Sequence, residues 1–188
     1  NPPPWVRHWE PAAPLSCPVH VDVVGDESGS VQSVADPIRY RHALLTRFVE
    51  VLGRRCTCGH CTVSLTLFDL AVQVPPTRVD RNGRKQLTSV LADLPATSSC
   101  ATSALQAVST PAYTARRPLL VVVSDFQLFD PDPATVTTIM AGRKALAVVL
   151  GAESAPLSNH PDITVRRITP TSPPTALVDA ISDRLMLP

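Results

Sequence analysis

Short runs of branched apolar residues alternate along this chain with segments of helical periodicity. The apolar runs predict strands at residues 18–24, 62–74 (a hairpin that breaks near Asp69), 118–126, 144–150 and 163–168. The periodic segments predict helices at residues 38–52, 80–94, 101–109, 134–141 and 175–187. Strands that alternate with helices imply an α/β fold with a doubly wound, mostly parallel central sheet and helices on both faces.

Local signals set the ends of the first helix. Asp36 and Pro37 suit the N-cap and the first turn, and Gly53 is expected to end the helix. The run PLLVVVSDF at residues 118–126 is apolar without alternation, which is typical of a central strand buried on both faces.

Length and composition narrow the possible partners. The 188 residues fit one domain, and 17 basic against 16 acidic side chains leave a net charge of +1. This balance gives no electrostatic case for nucleic acid. No apolar run approaches the roughly 20 residues of a membrane span, so neither a nucleic acid nor a membrane is expected as partner.

The first 17 residues differ from the rest of the chain. They are rich in proline and contain Trp5 and Trp9, which predicts an N-terminal linker or arm, followed by one domain at residues 18–188. A start at Asn1 and the frequent Ala, Arg, Pro and Val are typical of a piece of a larger, bacterial-type protein.

Candidate chemistry follows the first strand, in the segment PVHVDVVGDESGSV at residues 18–31. Asp26, Ser28 and Ser30 form an Asp-x-Ser-x-Ser pattern in a predicted strand-to-helix loop, which is where open α/β sheets bind ligands. Oxygen donors at this spacing suit a hard divalent cation such as Mg²⁺ or Mn²⁺.

A second carboxylate is expected at the same edge. Asp125 ends the central strand, and in a doubly wound sheet that strand can lie beside the first one. The intervening loop, PATSSCATSAL, adds the hydroxyls of Thr97, Ser98, Ser99 and Thr102. Two carboxylates and several hydroxyls are then expected to converge.

The segment DESGS at residues 26–30 resembles the metal-ion-dependent adhesion site of von Willebrand factor type A domains, and the similarity extends through VSLTLFD and VVVSDF. The resemblance implies a Rossmann-like fold. It also implies metal ligands at Asp26, Ser28, Ser30, Asp125 and one second-loop residue. The family has a Thr six residues before the Leu of an Ala-Leu pair. Counting back from Leu105 reaches Ser99, with Thr102 and Thr97 as alternatives.

The resemblance implies recognition and not enzymatic turnover. A bound Mg²⁺, or Mn²⁺ or Ca²⁺ in its place, keeps a position for an Asp or Glu supplied by another protein or domain. Phe126 stands where the family usually has Gly, and we expect it to narrow the rim of the site or contact the partner. Glu27 is expected to be an exposed carboxylate beside the ion.

Three cysteines form a separate cluster at Cys56, Cys58 and Cys61, next to His60. The spacing offers soft ligands to Zn²⁺, but the second half of a typical zinc ribbon is missing. Reduced thiols are therefore favoured over a zinc site or a local disulfide. Five cysteines leave one unpaired within a monomer, which favours a reducing compartment and a cytoplasmic location.

Two other functions remain open from the sequence. The segment DESG after an apolar strand also resembles the start of ribonuclease H-like nucleases, in which Asp26 with Asp125, Asp130 or Asp132 would hold two Mg²⁺ ions. A metal-free structural domain would instead use its surface, including the Trp5 and Trp9 arm. Asp22, within the first strand, must be hydrogen-bonded if it is buried.

Overall fold

The computed structural model describes residues 18–27, 37–68, 72–93, 104–109, 119–127, 132–150, 157, 160–169, 172 and 176–186. The strands are β1 (His20–Asp26), β2 (Thr62–Phe68), β3 (Val72–Arg78), β4 (Leu119–Ser124), β5 (Ala145–Leu150) and β6 (Ile163–Ile168). The helices are α1 (Pro37–Arg55), α2 (Arg81–Ala92), α3 (Ala104–Ser109), α4 (Pro133–Ala141) and α5 (Ala176–Met186). Within these ranges no helix is both long and apolar enough to span a membrane.

The six strands form one sheet in the order β3-β2-β1-β4-β5-β6. Every neighbouring pair is parallel except β2 and β3, which are antiparallel and form the predicted hairpin. Pro75 and Pro76 lie in β3, at the edge of the sheet, where a missing backbone donor is tolerated. The sheet and its helices confirm the predicted α/β, doubly wound, Rossmann-like fold.

Alternate residues of the central strands face two separate cores. Val121 and Val123 of β4 belong to the core beneath α1, α2 and α5, whereas Leu120 and Val122 belong to the core beneath α3 and α4. All six residues of β4 are buried. A strand with apolar groups on both faces is typical of a sheet covered on both sides, which explains the run without alternation.

Helix α1 corrects one sequence-based boundary. It begins at Pro37, as predicted, but it continues through Gly53 to Arg55, so Gly53 does not end it. A β-carbon at position 53 would lie 2.6 Å from the carbonyl oxygen of Val79. Gly53 therefore serves close packing, because only a residue without a side chain leaves room for that backbone. Asp36, the predicted N-cap, lies outside the described residues.

Asp22 is hydrogen-bonded, as its place in β1 required. The Ser64 hydroxyl of β2 donates to Asp22 Oδ1, and Arg143 Nη2 donates to Asp22 Oδ2 at 2.7 Å. Both carboxylate oxygens thus have partners, one of them 121 residues away along the chain. Arg143 lies in the turn between α4 and β5, and Asp22 lies near the amino end of β1. The ion pair is therefore away from the carboxyl ends of the strands.

Candidate functional site

Asp26 and Asp125 lie side by side at the carboxyl ends of β1 and β4, as predicted. This end of the parallel strands is called the carboxyl edge of the sheet. Gly25 of β1 pairs with Val123 of β4 in parallel register, so that Asp26 ends its strand beside Ser124 and Asp125 follows directly. The exposed fractions are 1 % for Asp26 and 7 % for Asp125. Folded proteins seldom bury acidic residues so completely unless the charge is compensated.

Buried polarity is concentrated at this edge. Five polar or charged residues are buried in the described part of the chain, and all but Ser64 lie here. The four are Asp26, Glu27, Ser124 and Asp125. Because an apolar core needs none of these groups, their accumulation at the carboxyl ends of two central strands marks the edge as the candidate functional site.

Ser124 links the two strands at this point. Its hydroxyl donates to Asp26 Oδ2 across 98 residues of sequence, and it accepts a hydrogen bond of 2.9 Å from the backbone N–H of Phe126. Ser124 therefore holds both the Asp26 carboxylate and the backbone just after Asp125. No role for Ser124 was evident from sequence, because the contact with Asp26 depends on the register of β4 against β1.

Only one of the two carboxylate oxygens of Asp125 has a hydrogen-bond partner among the described residues. Its Oδ1 accepts a 3.0 Å hydrogen bond from the backbone N–H of Gln127. Its Oδ2 is buried and has no hydrogen-bond partner among the described residues. A buried carboxylate oxygen without a partner is costly in free energy, and a cation is the kind of group that offsets this cost.

Phe126 does not line the rim of the site, contrary to the expectation from sequence. It is 2 % exposed, and its ring belongs to the core beneath α3 and α4. Its φ is +59°, in the left-handed region that favours glycine, and it is the one described non-glycine residue with positive φ. Phe126 thus adopts a backbone conformation that glycine takes most readily, and core packing of the phenyl ring offsets the strain.

The expectation for Glu27 was also wrong. Glu27 is 2 % exposed and not a flanking surface group. Its Oε1 lies 3.2 Å from Nε2 of His42 on α1, and its backbone N–H donates to the Phe68 carbonyl. Glu27 thus connects the end of β1 to α1 and β2. His42, whose role the sequence did not reveal, is its partner.

The remaining predicted ligands lie outside the described residues: Ser28, Ser30, Ser99, Thr97 and Thr102. Asp130, one acid of the nuclease alternative, lies there too.

Asp132, another acid of that alternative, is described, and it caps helix α4. Asp132 accepts hydrogen bonds from the Ala134 N–H and from the Thr135 hydroxyl. The hydrogen bond from Thr135 lowers the pKa of Asp132 below its ordinary value. Asp132 therefore stabilises a helix start, and its position gives no support to a second metal site.

The cysteine cluster lies at the opposite end of the parallel strands, near their amino ends. The sulfurs of Cys56, Cys58 and Cys61 all lie within 4.8 Å of one another. Cys56 and Cys61 are thiols, whereas Cys58 is disulfide-bonded, so the expectation of reduced thiols was wrong for Cys58. The loop precedes β2, and the Val19 N–H just before β1 donates to Cys61 Sγ at 3.5 Å.

The two thiols differ in acidity. Burial and, to a smaller extent, the neighbouring Cys56 together raise the pKa of Cys61 to about 11. Burial also opposes ionisation of Cys56. Hydrogen bonds from Cys61 and from the backbone at Gly59 and His60 outweigh burial and lower the pKa of Cys56. Because the thiolate is the reactive form, Cys56 is the better nucleophile of the two.

Solved structures with a similar fold come from several sources. The chain resembles the conserved hypothetical protein BatB from Bacteroides thetaiotaomicron (TM-score 0.64, 16% identity, 89% of this chain and 98% of that one). It also resembles manganese-loaded TRAP from Plasmodium vivax (TM-score 0.58, 10% identity, 89% and 73%). A third is proximal thread matrix protein 1 from the mussel byssus with a zinc-occupied MIDAS motif (TM-score 0.55, 12% identity, 89% and 44%).

These likenesses support a von Willebrand factor type A fold for this chain. At identities of 10% to 16%, these similarities show a shared fold and nothing about function. No protein-family model matches the sequence, and no curated protein matches it.

Proposed function

We propose that this chain is a metal-ion-dependent protein-interaction module. A divalent cation, Mg²⁺ or in its place Mn²⁺ or Ca²⁺, is bound at the edge formed by β1 and β4. An Asp or Glu of another protein or domain completes the coordination. The proposed ligands are Asp26, Ser28, Ser30, Ser99 and Asp125.

The observation that carries this proposal is the buried Oδ2 of Asp125, which has no hydrogen-bond partner in the described part of the chain. It lies one residue beyond Ser124, which already holds the buried Asp26. Two buried carboxylates on adjacent strands repel each other when both are ionised, and the repulsion is relieved when a cation lies between them. In a domain that binds no cation, this arrangement would only lower stability.

The donor chemistry selects the kind of ion. Carboxylate and hydroxyl oxygens are hard ligands, which suit Mg²⁺, Mn²⁺ and Ca²⁺ better than soft cations. Two solved structures with this fold hold zinc or manganese, which supports a divalent cation at this site. Mg²⁺ prefers octahedral coordination, so the five proposed ligands leave one position for a carboxylate of the partner.

The surrounding residues orient the carboxylates. The Ser124 hydroxyl fixes one oxygen of Asp26, and the Gln127 N–H fixes one oxygen of Asp125. Such outer contacts set the direction of metal ligands and commonly change affinity by about 10- to 100-fold when removed. The partner's acidic residue would meet two carboxylates that are each held by a hydrogen bond.

The test is a selection for peptides that bind the protein only in the presence of the metal ion. A random peptide library is selected on the protein in Mg²⁺ and eluted with EDTA. We expect the selected peptides to share one Asp or Glu, to lose binding to Asp26→Ala, and to keep binding to Asp22→Asn. The Asp22→Asn variant is the matched control, because it changes a carboxylate of the same strand that is held by Ser64 and Arg143. Peptides that bind equally in EDTA, or that share no acidic residue, would contradict the proposal.

A further inference from the structure

We propose that in the reduced protein Cys56, Cys58 and Cys61 form a second metal site, which takes Zn²⁺ through thiolates, with a fourth cysteine as the remaining ligand. This site is separate from the one at Asp26 and Asp125, and it does not depend on that function. Cys61 directly precedes β2, so the cluster lies at the amino ends of the strands, whereas the two aspartates lie at the carboxyl ends.

The spacing of the sulfurs fits one ion. Zn–S bonds of about 2.3 Å in a tetrahedron place two sulfurs about 3.8 Å apart. Cys56 Sγ and Cys58 Sγ are 3.7 Å apart, and all three sulfurs lie within 4.8 Å of one another. Small side-chain rotations therefore suffice to place them around Zn²⁺.

The backbone of the loop is arranged to support thiolates. The N–H of His60 donates to Cys58 Sγ at 3.4 Å, and the N–H of Cys61 donates to Cys56 Sγ at 3.3 Å. Gly59 has φ +69°, which lets the chain turn between Cys58 and Cys61. N–H donors aimed at sulfur stabilise negative charge there and orient the ligands of a metal.

The disulfide bond of Cys58 points to a fourth sulfur as the remaining ligand. Cys58 is disulfide-bonded, and a disulfide holds another sulfur in direct contact with that of Cys58. Of the five cysteines, Cys17 and Cys100 remain as the fourth ligand. The Val19 N–H lies 3.5 Å from Cys61 Sγ, and two residues of chain span about 7 Å. We therefore expect Cys17 to be the fourth ligand.

Zinc binding requires that the disulfide be reduced. A dithiol reductant supplies two electrons and two protons, and it is itself oxidised to a disulfide. The S–S bond at Cys58 breaks, and Cys58 and its partner become thiols. Each of the four thiols loses its proton as its sulfur binds Zn²⁺. The ion would then fasten the start of β1 to the loop before β2.

The experiment measures zinc in the full chain, purified under a dithiol reductant with ZnCl₂ and then freed of unbound metal. The Asp26→Ala background excludes zinc at the other site. We expect about one Zn²⁺ per chain in this background and in Cys100→Ser added to it. Cys58→Ser and Cys17→Ser, each in the same background, are expected to lose it.

Cobalt supplies a readout that needs no cysteine variant. Replacing Zn²⁺ by Co²⁺ in the Asp26→Ala protein should give sulfur-to-cobalt charge-transfer absorption, which oxygen ligands do not produce. No bound zinc in the reduced Asp26→Ala protein, or no charge-transfer absorption, would overturn the proposal even if Cys58→Ser fails to fold. Loss of zinc in Cys100→Ser but not in Cys17→Ser would overturn the choice of Cys17.

Discussion

Replacing Asp125 by Asn should stabilise the metal-free protein and at the same time remove its response to Mg²⁺. Asn keeps the volume of the side chain and the oxygen that accepts from the Gln127 N–H. It removes the negative charge whose second oxygen is buried without a partner among the described residues. The substitution thus separates the free-energy cost of the buried charge from the stabilisation gained when Mg²⁺ binds.

The magnitude follows from the burial of that oxygen. An unsatisfied buried polar group costs about 1–3 kcal/mol, and a charged one more. For a chain of this size each kcal/mol shifts the melting temperature by about 2–4 °C, so Asp125→Asn should melt about 2–12 °C higher in EDTA. The wild type should gain about 2.7 kcal/mol when Mg²⁺ is raised to 100 times its dissociation constant, and the variant far less.

The assay is unfolding by heat and by urea, followed by circular dichroism, in EDTA and in a Mg²⁺ titration. Asp22→Asn is the control, because it weakens the contact with Arg143. It should lower stability in both buffers and leave the Mg²⁺-induced shift unchanged. If Asp125→Asn melts below the wild type in EDTA, or gains as much as the wild type from Mg²⁺, the reasoning about this buried carboxylate is refuted.

Two further substitutions test the contacts around the site and the packing of the helices. Ser124→Ala removes a buried hydroxyl, and we expect a loss of about 2–4 kcal/mol in urea unfolding and Mg²⁺ binding weaker by about 10-fold or more in calorimetry. Unchanged Mg²⁺ affinity would count against an orienting role. Gly83→Ala places a β-carbon 1.8 Å from the Arg78 carbonyl oxygen and should cost about 1–3 kcal/mol or more. In the matched variant Gly142→Ala the nearest atom is 3.5 Å away, so its stability should stay within about 1 kcal/mol of the wild type; equal effects at the two glycines would contradict the packing argument.

Most of the fold was predictable, because strand and helix periods are local properties of the chain. The predicted strand at 163–168 has the observed bounds, and the hairpin of β2 and β3 is present. The prediction that α1 ends at Gly53 was wrong, because this glycine allows close packing against the backbone of Val79 and does not terminate the helix. No local pattern distinguishes these two uses of glycine.

The candidate site was predictable in part. Asp26 and Asp125 were expected at one edge, since each ends an apolar strand and parallel strands end together. The orientation of Glu27 was missed, because its partner His42 lies on a helix that only tertiary packing brings to the end of β1. The burial of Phe126 was missed for a similar reason. Sequence shows that a bulky residue replaces Gly, but not which side of the sheet its ring enters.

The sequence by itself determined the alternation of strands and helices, the aliphatic core, and the two carboxylates at the ends of β1 and β4. These features depend on residue type and on spacing along a few turns or strand residues. The tertiary structure alone decided the contact of Ser124 with Asp26, the pairing of Asp22 with Arg143 and the unpartnered oxygen of Asp125. The two contacts join residues 98 and 121 positions apart, so they exist only once strand order and register are set.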